Sequence, residues 1–429
     1  MRYPLLFLCT VLLADCSASG SATQSPSTSF NSLSHASLLP ASTRHAEKKS
    51  GTLTTLYRFG AYPDGENPDG LIEVNGTFYG VTSAGGSGRG PCAHDGSGCG
   101  TVFSLTPEGT EKVLYSFQGG KDGASPTGAL IYLDGALYGT TSFGGGCPVF
   151  KKFGCGTVFS VSLSGAETVL YRFQGYPDGM TPAGGLIAVN GVLYGTTGSG
   201  GNIIDGKQPA DLGTVFSITP SGKYQSLYSF KGGTVDGDHP DGSLTAVDGV
   251  LYGTLNGDNL SSGAGSVYRI TTSGAETVLY KFQAGDDGWR PIDGLTYAAG
   301  LLYGVTLQGG GACSSQDGCG TVYSITPAGS ETVLHRFAGP DEDGAQPRGA
   351  VTSAGGASFG TTASGGSNGY GAIFVVSKSG AERLLYSFTG GADGGGPSGG
   401  LVRAADGTLN GTTASLGKSD YGTVYSFKP

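Results

Sequence analysis

The sequence predicts an all-β fold: a seven-bladed β-propeller built from four-stranded blades. Three observations point there. Three short β-rich signatures each recur seven times, about 55 residues apart, a spacing that suits propeller blades with enlarged loops. Asn-Gly and Asp-Gly dipeptides stand where tight hairpins need them. The repeats also begin on one strand type and end on another, so each end of the chain carries what the other lacks. Composition agrees. Glycine supplies 82 of 429 residues, against a usual share of roughly 7%, and without a collagen triplet that abundance signals many turns. Long runs with apolar residues at helical spacing are missing.

Ahead of the repeats, residues 1–22 read as an export signal: Arg2, an apolar run over 5–13, then small residues. The run is too short to cross a bilayer as a helix. Leu13-Ala14-Asp15-Cys16 resembles the lipobox of bacterial lipoproteins, in which Cys16 would carry the lipid. Asp15 departs from that pattern, because a small residue normally precedes the cysteine. The alternative is cleavage near Ala18 or Ala22 and release of a soluble protein. Residues 23–50, rich in Ser, Thr, Ala and Pro, cannot bury enough apolar surface to offset their ordering entropy and read as a disordered tether. His35 and His45 within it are given no role. The propeller is expected over 51–429.

Within the repeats, LYxF occurs first at 56–59 and last at 385–388; a LYGTT-like run first at 78–82 and last at 409–413; a GTVFS-like run first at Gly100 and last at Gly422. A fourth strand, such as GLIAV at 185–189, joins LYGTT through Asn75-Gly76, Asp134-Gly135, Asn190-Gly191, Asp248-Gly249, Gly355-Gly356 and Asp406-Gly407. Such pairs suit a type I′ turn, whose two central residues need positive φ. Strand 53–59 is expected to pair with strand 422–427, supplying the fourth strand of the last blade and closing the ring. A parallel β-solenoid is the runner-up, though its coils would not need complementary broken ends.

The order P-x-G-L-x-x-V-N-G-x-L-Y-G-T-T, then G-T-V-F-S, then L-Y-x-F resembles the GloVer tandem-repeat proteins of bacteria over about 53–429, and its blade order is similar to that of NHL-type propellers. The resemblance implies a surface or extracellular location by varied anchors and brings no catalytic residues. His335 replaces Tyr in LYxF, Asn410 replaces Tyr in LYGTT, and Gly371-Ala372-Ile373-Phe374 is a weak third strand; these read as drift within a packed sheet.

The loops after LYGTT and after LYxF open on one face and vary in length, so function is expected there. Cys92/Cys99, Cys147/Cys155 and Cys313/Cys319 fall in pairs within three of these loops. Even count, local pairing and export point to disulfides. A zinc site needs about four ligands and each loop offers two thiolates, with only His94 nearby, so no metal site is expected. Asp-Gly-x-x-Pro recurs in all seven connections, with Asp at 64, 122, 178, 236, 287, 343 and 393. The turn reading is that Asp accepts backbone N–H bonds and Pro presets φ; the sharper alternative is calcium ligation. The two residues before that Pro should project near the ring's mouth. Trp289, the one tryptophan, and Arg290 could stack on a sugar or grip an anion, and Asp238, His239 and Arg348 join them as ligand-binding candidates.

A net charge of −9 with scattered Lys and Arg lacks the basic face that nucleic acid or an anionic membrane requires. No cofactor, no nucleic acid, a monomer, and membrane contact only through a lipid anchor are therefore expected. His94, His239 and His335 lie in different repeats, and matches to G-x-S-x-G at 396–400 and near Gly366 sit on no strand-to-helix elbow. The leading expectation is an exported or outer-membrane surface propeller that binds a glycan, peptide or protein partner through its long-loop face. An extracellular lyase or lactonase with an axial site, and a structural cell-envelope protein, are the alternatives.

Overall fold

The protein is described by a computed structural model over residues 51–60, 62–88, 98–202, 211–233, 235–257, 263–311, 313, 317–339, 343–415 and 421–429. The export signal, Cys16, the tether, Cys92 and His94 lie outside the described residues. Among the described residues there are seven antiparallel sheets, six of them running from inner to outer strand in chain order, and the only helical turn is Gly285–Asp287. Blades 1 to 6 span 65–116, 124–172, 179–229, 245–281, 289–336 and 345–387. Blade 7 takes its three inner layers from 395–428 and its outer strand from Thr52–Arg58. That strand lies antiparallel to Thr423–Lys428, with Leu53 opposite Phe427.

The signatures acquire their meaning between blades. The Phe that closes LYxF meets, edge to face, the aromatic ring of the next blade's GTVFS strand. The pairs are Phe59–Phe103, Phe117–Phe159, Phe173–Phe216, Phe230–Tyr268, Phe282–Tyr323, Phe337–Phe374 and Phe388–Tyr425, all with centroids 5.0–5.3 Å apart. Such pairs add about 0.5–1.5 kcal/mol each beyond their area burial, and all seven second rings are fully buried. The glycine of LYGTT makes room for the ring: a Cβ on Gly80 would sit 2.6 Å from Phe103 Cζ.

A second interlock joins the proline of Asp-Gly-x-x-Pro to the glycine of GTVFS in the preceding blade. Gly100, at φ +94°, faces Pro126 so closely that a Cβ would lie 2.5 Å from its Cδ. Just before each proline stands a residue at positive φ, from Asn67 at 54° to Gly396 at 58°. Its N–H donates to the carbonyl preceding that glycine, as Ser125 does to Cys99 at 2.9 Å and Arg290 to Ala264 at 3.0 Å. Asn67 donates likewise to Tyr421 at 3.0 Å, so blade 1 meets blade 7 by the same contact that joins the others. The weak third strand at 372–377 pairs fully with both neighbours.

Two turn readings change. Ala299-Gly300 adopts the positive-φ hairpin turn although neither Asn nor Asp is present, with φ of 50° and 84°. Asp406-Gly407 does not, because only Gly407 has positive φ. There the chain closes a longer loop in which Gly407 N–H donates to Ala404 and Ala404 N–H to Thr408, the three-residue pattern with a glycine bulge.

Candidate functional site

The seven Asp-Gly-x-x-Pro carboxylates prove to be latches. Each accepts a hydrogen bond from the LYxF aromatic of the preceding blade, with the Tyr hydroxyls of 57, 115, 171, 228, 280 and 386 donating at 2.6–2.9 Å. Each also accepts a backbone N–H just beyond that strand, as Asp122 does from Gln118 at 2.7 Å. This is the turn reading, extended by a side-chain donor the sequence did not disclose. His335 corrects the reading as drift: its Nε2 lies 2.8 Å from Asp343 Oδ2, in the place of the tyrosine hydroxyl.

The inner strands surround an axial cavity of about 280 Å³ to which all seven blades contribute. Side-chain to carbonyl bonds tie the second strand of one blade to the inner segment of the next: Thr140 to Gly184, Thr196 to Gly242 and Thr254 to Asp293, at 2.9–3.2 Å. Three carboxylates line it, Asp69, Asp241 and Asp293, from blades 1, 4 and 5. Two positions after the blade proline the other blades carry glycine; counting from Pro291, blade 5 carries Asp293, at φ 59°. Asp293 Oδ2 accepts Gly349 N–H of the next blade at 2.8 Å, and Asp69 Oδ2 accepts Gly128 N–H at 3.0 Å. Burial pushes the Asp293 carboxyl up to about 6; the charges of Asp69 and Asp241 act in the same direction, against the Gly349 bond and Arg348.

At the long-loop end of the cavity the predicted residues fall into two groups. Arg290 Nε donates to Asn256 Oδ1 at 3.0 Å, and Asn256 Nδ2 donates to Asp241. Asn256 N–H donates in turn to the His239 carbonyl at 3.0 Å. His239 Nδ1 lies 3.2 Å from the buried carboxylate of Asp238. Arg348 is exposed beside Asp293. These four therefore gather around blades 4 to 6. Trp289 does not project as an open stacking surface: it is half-buried and packs on the cluster that includes Val267, Phe282 and Tyr323. Asp69, Asp241, Asn256 and Asp293 were missed. Setting the seven Pro-x-Gly segments beside one another would have exposed Asp293, the one break in the glycine column.

Blade 4 departs once more. Five blades pair threonine hydroxyls between their two middle strands, as Thr82 and Thr101 do at 2.8 Å. Blade 4 sets Leu255 against Ser266 instead, and a cavity of about 240 Å³ lies there beside Asp236 and Asp238. In the long loops, Cys147–Cys155 and Cys313–Cys319 are bonded, and buried Cys99 is disulfide-bonded as well. Disulfides fit an oxidising, extracellular compartment.

Solved structures are similar to the chain at low identity. The chain is similar to the computationally designed Ika8 protein (13% identical, covering 86% of this chain and 99% of that one, TM-score 0.46). It is also similar to a gluconolactonase from Xanthomonas campestris (14%, 78% and 89%, 0.42) and to a luciferin-regenerating enzyme (14%, 88% and 95%, 0.40). A search of curated proteins returns no match. The Gloeobacter/Verrucomicrobia repeat profile matches residues 45–207, 90–316 and 256–429. With that signature spanning all seven blades, the chain belongs to the Gloeobacter/Verrucomicrobia repeat family.

Proposed function

We propose that this propeller is a noncatalytic binding scaffold of an extracytoplasmic compartment, and that it receives a polyhydroxylated ligand, the terminus of a glycan, at the long-loop end of its axial cavity. One observation carries the reading: three carboxylates from separate blades, Asp69, Asp241 and Asp293, line one axial cavity, and Arg290 reaches Asp241 through Asn256. Carboxylates accept from sugar hydroxyls and guanidinium groups donate to them, a pairing suited to vicinal diols. The cavity has room for about one sugar ring, so a chain end rather than a chain middle would enter. Export and a surface tether through Cys16 complete the reading, and fatty-acid labelling of wild type against Cys16→Ser tests that part.

The test is a glycan array with the purified chain, followed by titration of the best ligand into Asp241→Asn and Asp293→Asn. Saturable binding that falls at least tenfold in both variants, at unchanged melting temperature, is expected. Absence of any saturable glycan binding, or equal binding by both variants, overturns the reading. One observation favours a second reading, an extracellular hydrolase or lyase: the Asp293 carboxyl, pushed up to about 6, could exchange a proton near neutral pH. Turnover lost in Asp293→Asn would install that reading in place of the first.

A further inference from the structure

We infer that His335, Asp343 and Glu382 form a binding site for a first-row divalent transition cation such as Zn²⁺, at the junction of blades 5 and 6. One ligand atom from each of the three lies within 4.8 Å of the others. His335 comes from outer strand Glu331–Arg336, Asp343 from the connection that follows, and Glu382 from outer strand Glu382–Ser387 of the next blade.

The repeat itself supplies the internal comparison. The same trio of positions recurs as Tyr57–Asp64–Glu111, Tyr115–Asp122–Glu167, Tyr228–Asp236–Glu276 and Tyr280–Asp287–Glu331, in each of which the tyrosine hydroxyl donates to the aspartate. Burial and the neighbouring carboxylates hold those hydroxyls protonated far above neutrality, so they are poor ligands. One junction replaces the phenol with an imidazole. It thereby converts a structural latch into one nitrogen and two carboxylates, a donor set that suits zinc and its neighbours.

The local geometry is prepared for it. Asp343 Oδ1 accepts three backbone N–H groups, from Ala338, Gly339 and Gly344 at 2.6–3.3 Å, which fixes the carboxylate and turns Oδ2 toward His335. The ring of His335 is held edge-on against Phe337, centroids 4.9 Å apart. Glu382 Oε1 is buried with no hydrogen-bond partner, as are the matching oxygens of Glu111, Glu167, Glu276 and Glu331; what sets this junction apart is the imidazole nitrogen beside that oxygen. Two ligands on a tetrahedral Zn²⁺ stand about 3.3 Å apart, given bonds of about 2.0–2.1 Å. Opening the present 2.8 Å contact by about half an ångström therefore admits the ion. Binding replaces the hydrogen bond between His335 Nε2 and Asp343 Oδ2 with bonds to the ion, and water completes the shell. The side chains of His335 and Asp343 are 18% and 12% exposed, enough for entry from solvent.

The test titrates ZnCl₂ into the chelator-treated full chain by calorimetry, beside His335→Tyr and Glu382→Gln. His335→Tyr restores the residue that stands at the other six junctions, so its fold should persist, checked by an unchanged melting temperature in chelator. Wild type should bind one equivalent saturably below about 100 μM. His335→Tyr should lose at least a hundredfold and Glu382→Gln at least tenfold. No saturable binding by wild type, or equal stoichiometry and affinity in His335→Tyr, overturns the proposal.

Discussion

Lowering the pH from 8 to 5.5 should stabilise this protein, contrary to the usual behaviour of an acidic chain whose carboxylates are paired. The cause is the row of glutamates facing the latch aspartates. Burial, and secondarily the facing aspartate charges, push Glu111, Glu167, Glu331 and Glu382 up to about 7, and burial followed by the Asp236 charge raises Glu276. A carboxyl whose folded value exceeds its unfolded value adds stability below the unfolded value, near 4.5. That stability is lost as pH rises through the folded value. For the four at about 7, acidification to 5.5 realises about 1.5 of the 2.5 units, or about 2 kcal/mol each at 1.36 kcal/mol per unit. Partial exposure and solvent screening reduce this to about 1 kcal/mol for each of these four, or about 4 kcal/mol together, with Glu276 acting in the same direction. For a propeller whose strands run from Thr52 to Lys428, about 1 °C per kcal/mol follows from the entropy of unfolding per residue, so the midpoint should climb by about 5 °C. The assay is a set of calorimetric melts at constant ionic strength in chelator. Replacing all five glutamates by glutamine should raise the pH 8 midpoint and flatten the profile. A midpoint that is level or falls on acidification, or an unchanged slope in the glutamine variant, refutes the reasoning.

Three further outcomes follow from named contacts. Gly100→Ala should cost about 3 kcal/mol or more by chemical denaturation, because at φ +94° its Cβ would lie 2.4 Å from the Thr82 carbonyl and 2.5 Å from Pro126. Asp178→Ala should cost about 3 kcal/mol, since it strands the hydroxyls of Tyr171 and Tyr224, which donate to it at 2.9 and 2.6 Å; Tyr224→Phe should cost only about 1. Replacing Cys147 and Cys155, eight positions apart, by serine should lower stability by about 2.5 kcal/mol on the chain-entropy account. A loss under 0.5 kcal/mol would show that the loop is held by its other contacts.

What the sequence determined on its own was everything that local chemistry encodes. Alternating apolar runs, turn dipeptides such as Asn190-Gly191, and a period of about 55 residues are read within a few neighbours of each residue. They sufficed for blade number, strand order and the complementary ends. Tertiary structure alone decided which residues meet. Asp69 and Asp241 follow the prolines of two repeats and Asp293 breaks the glycine column of a third, but that they line one axial cavity follows only from the packing of the blades. Trp289 was legible as unusual but not as half-buried, because the blade that covers it is folded from other residues. His335 looked like a lapse in a consensus until the next blade set Glu382 beside it. Turn preference and strand periodicity act along the chain, whereas a propeller assembles its sites across blades, from positions that only packing and closure make neighbours.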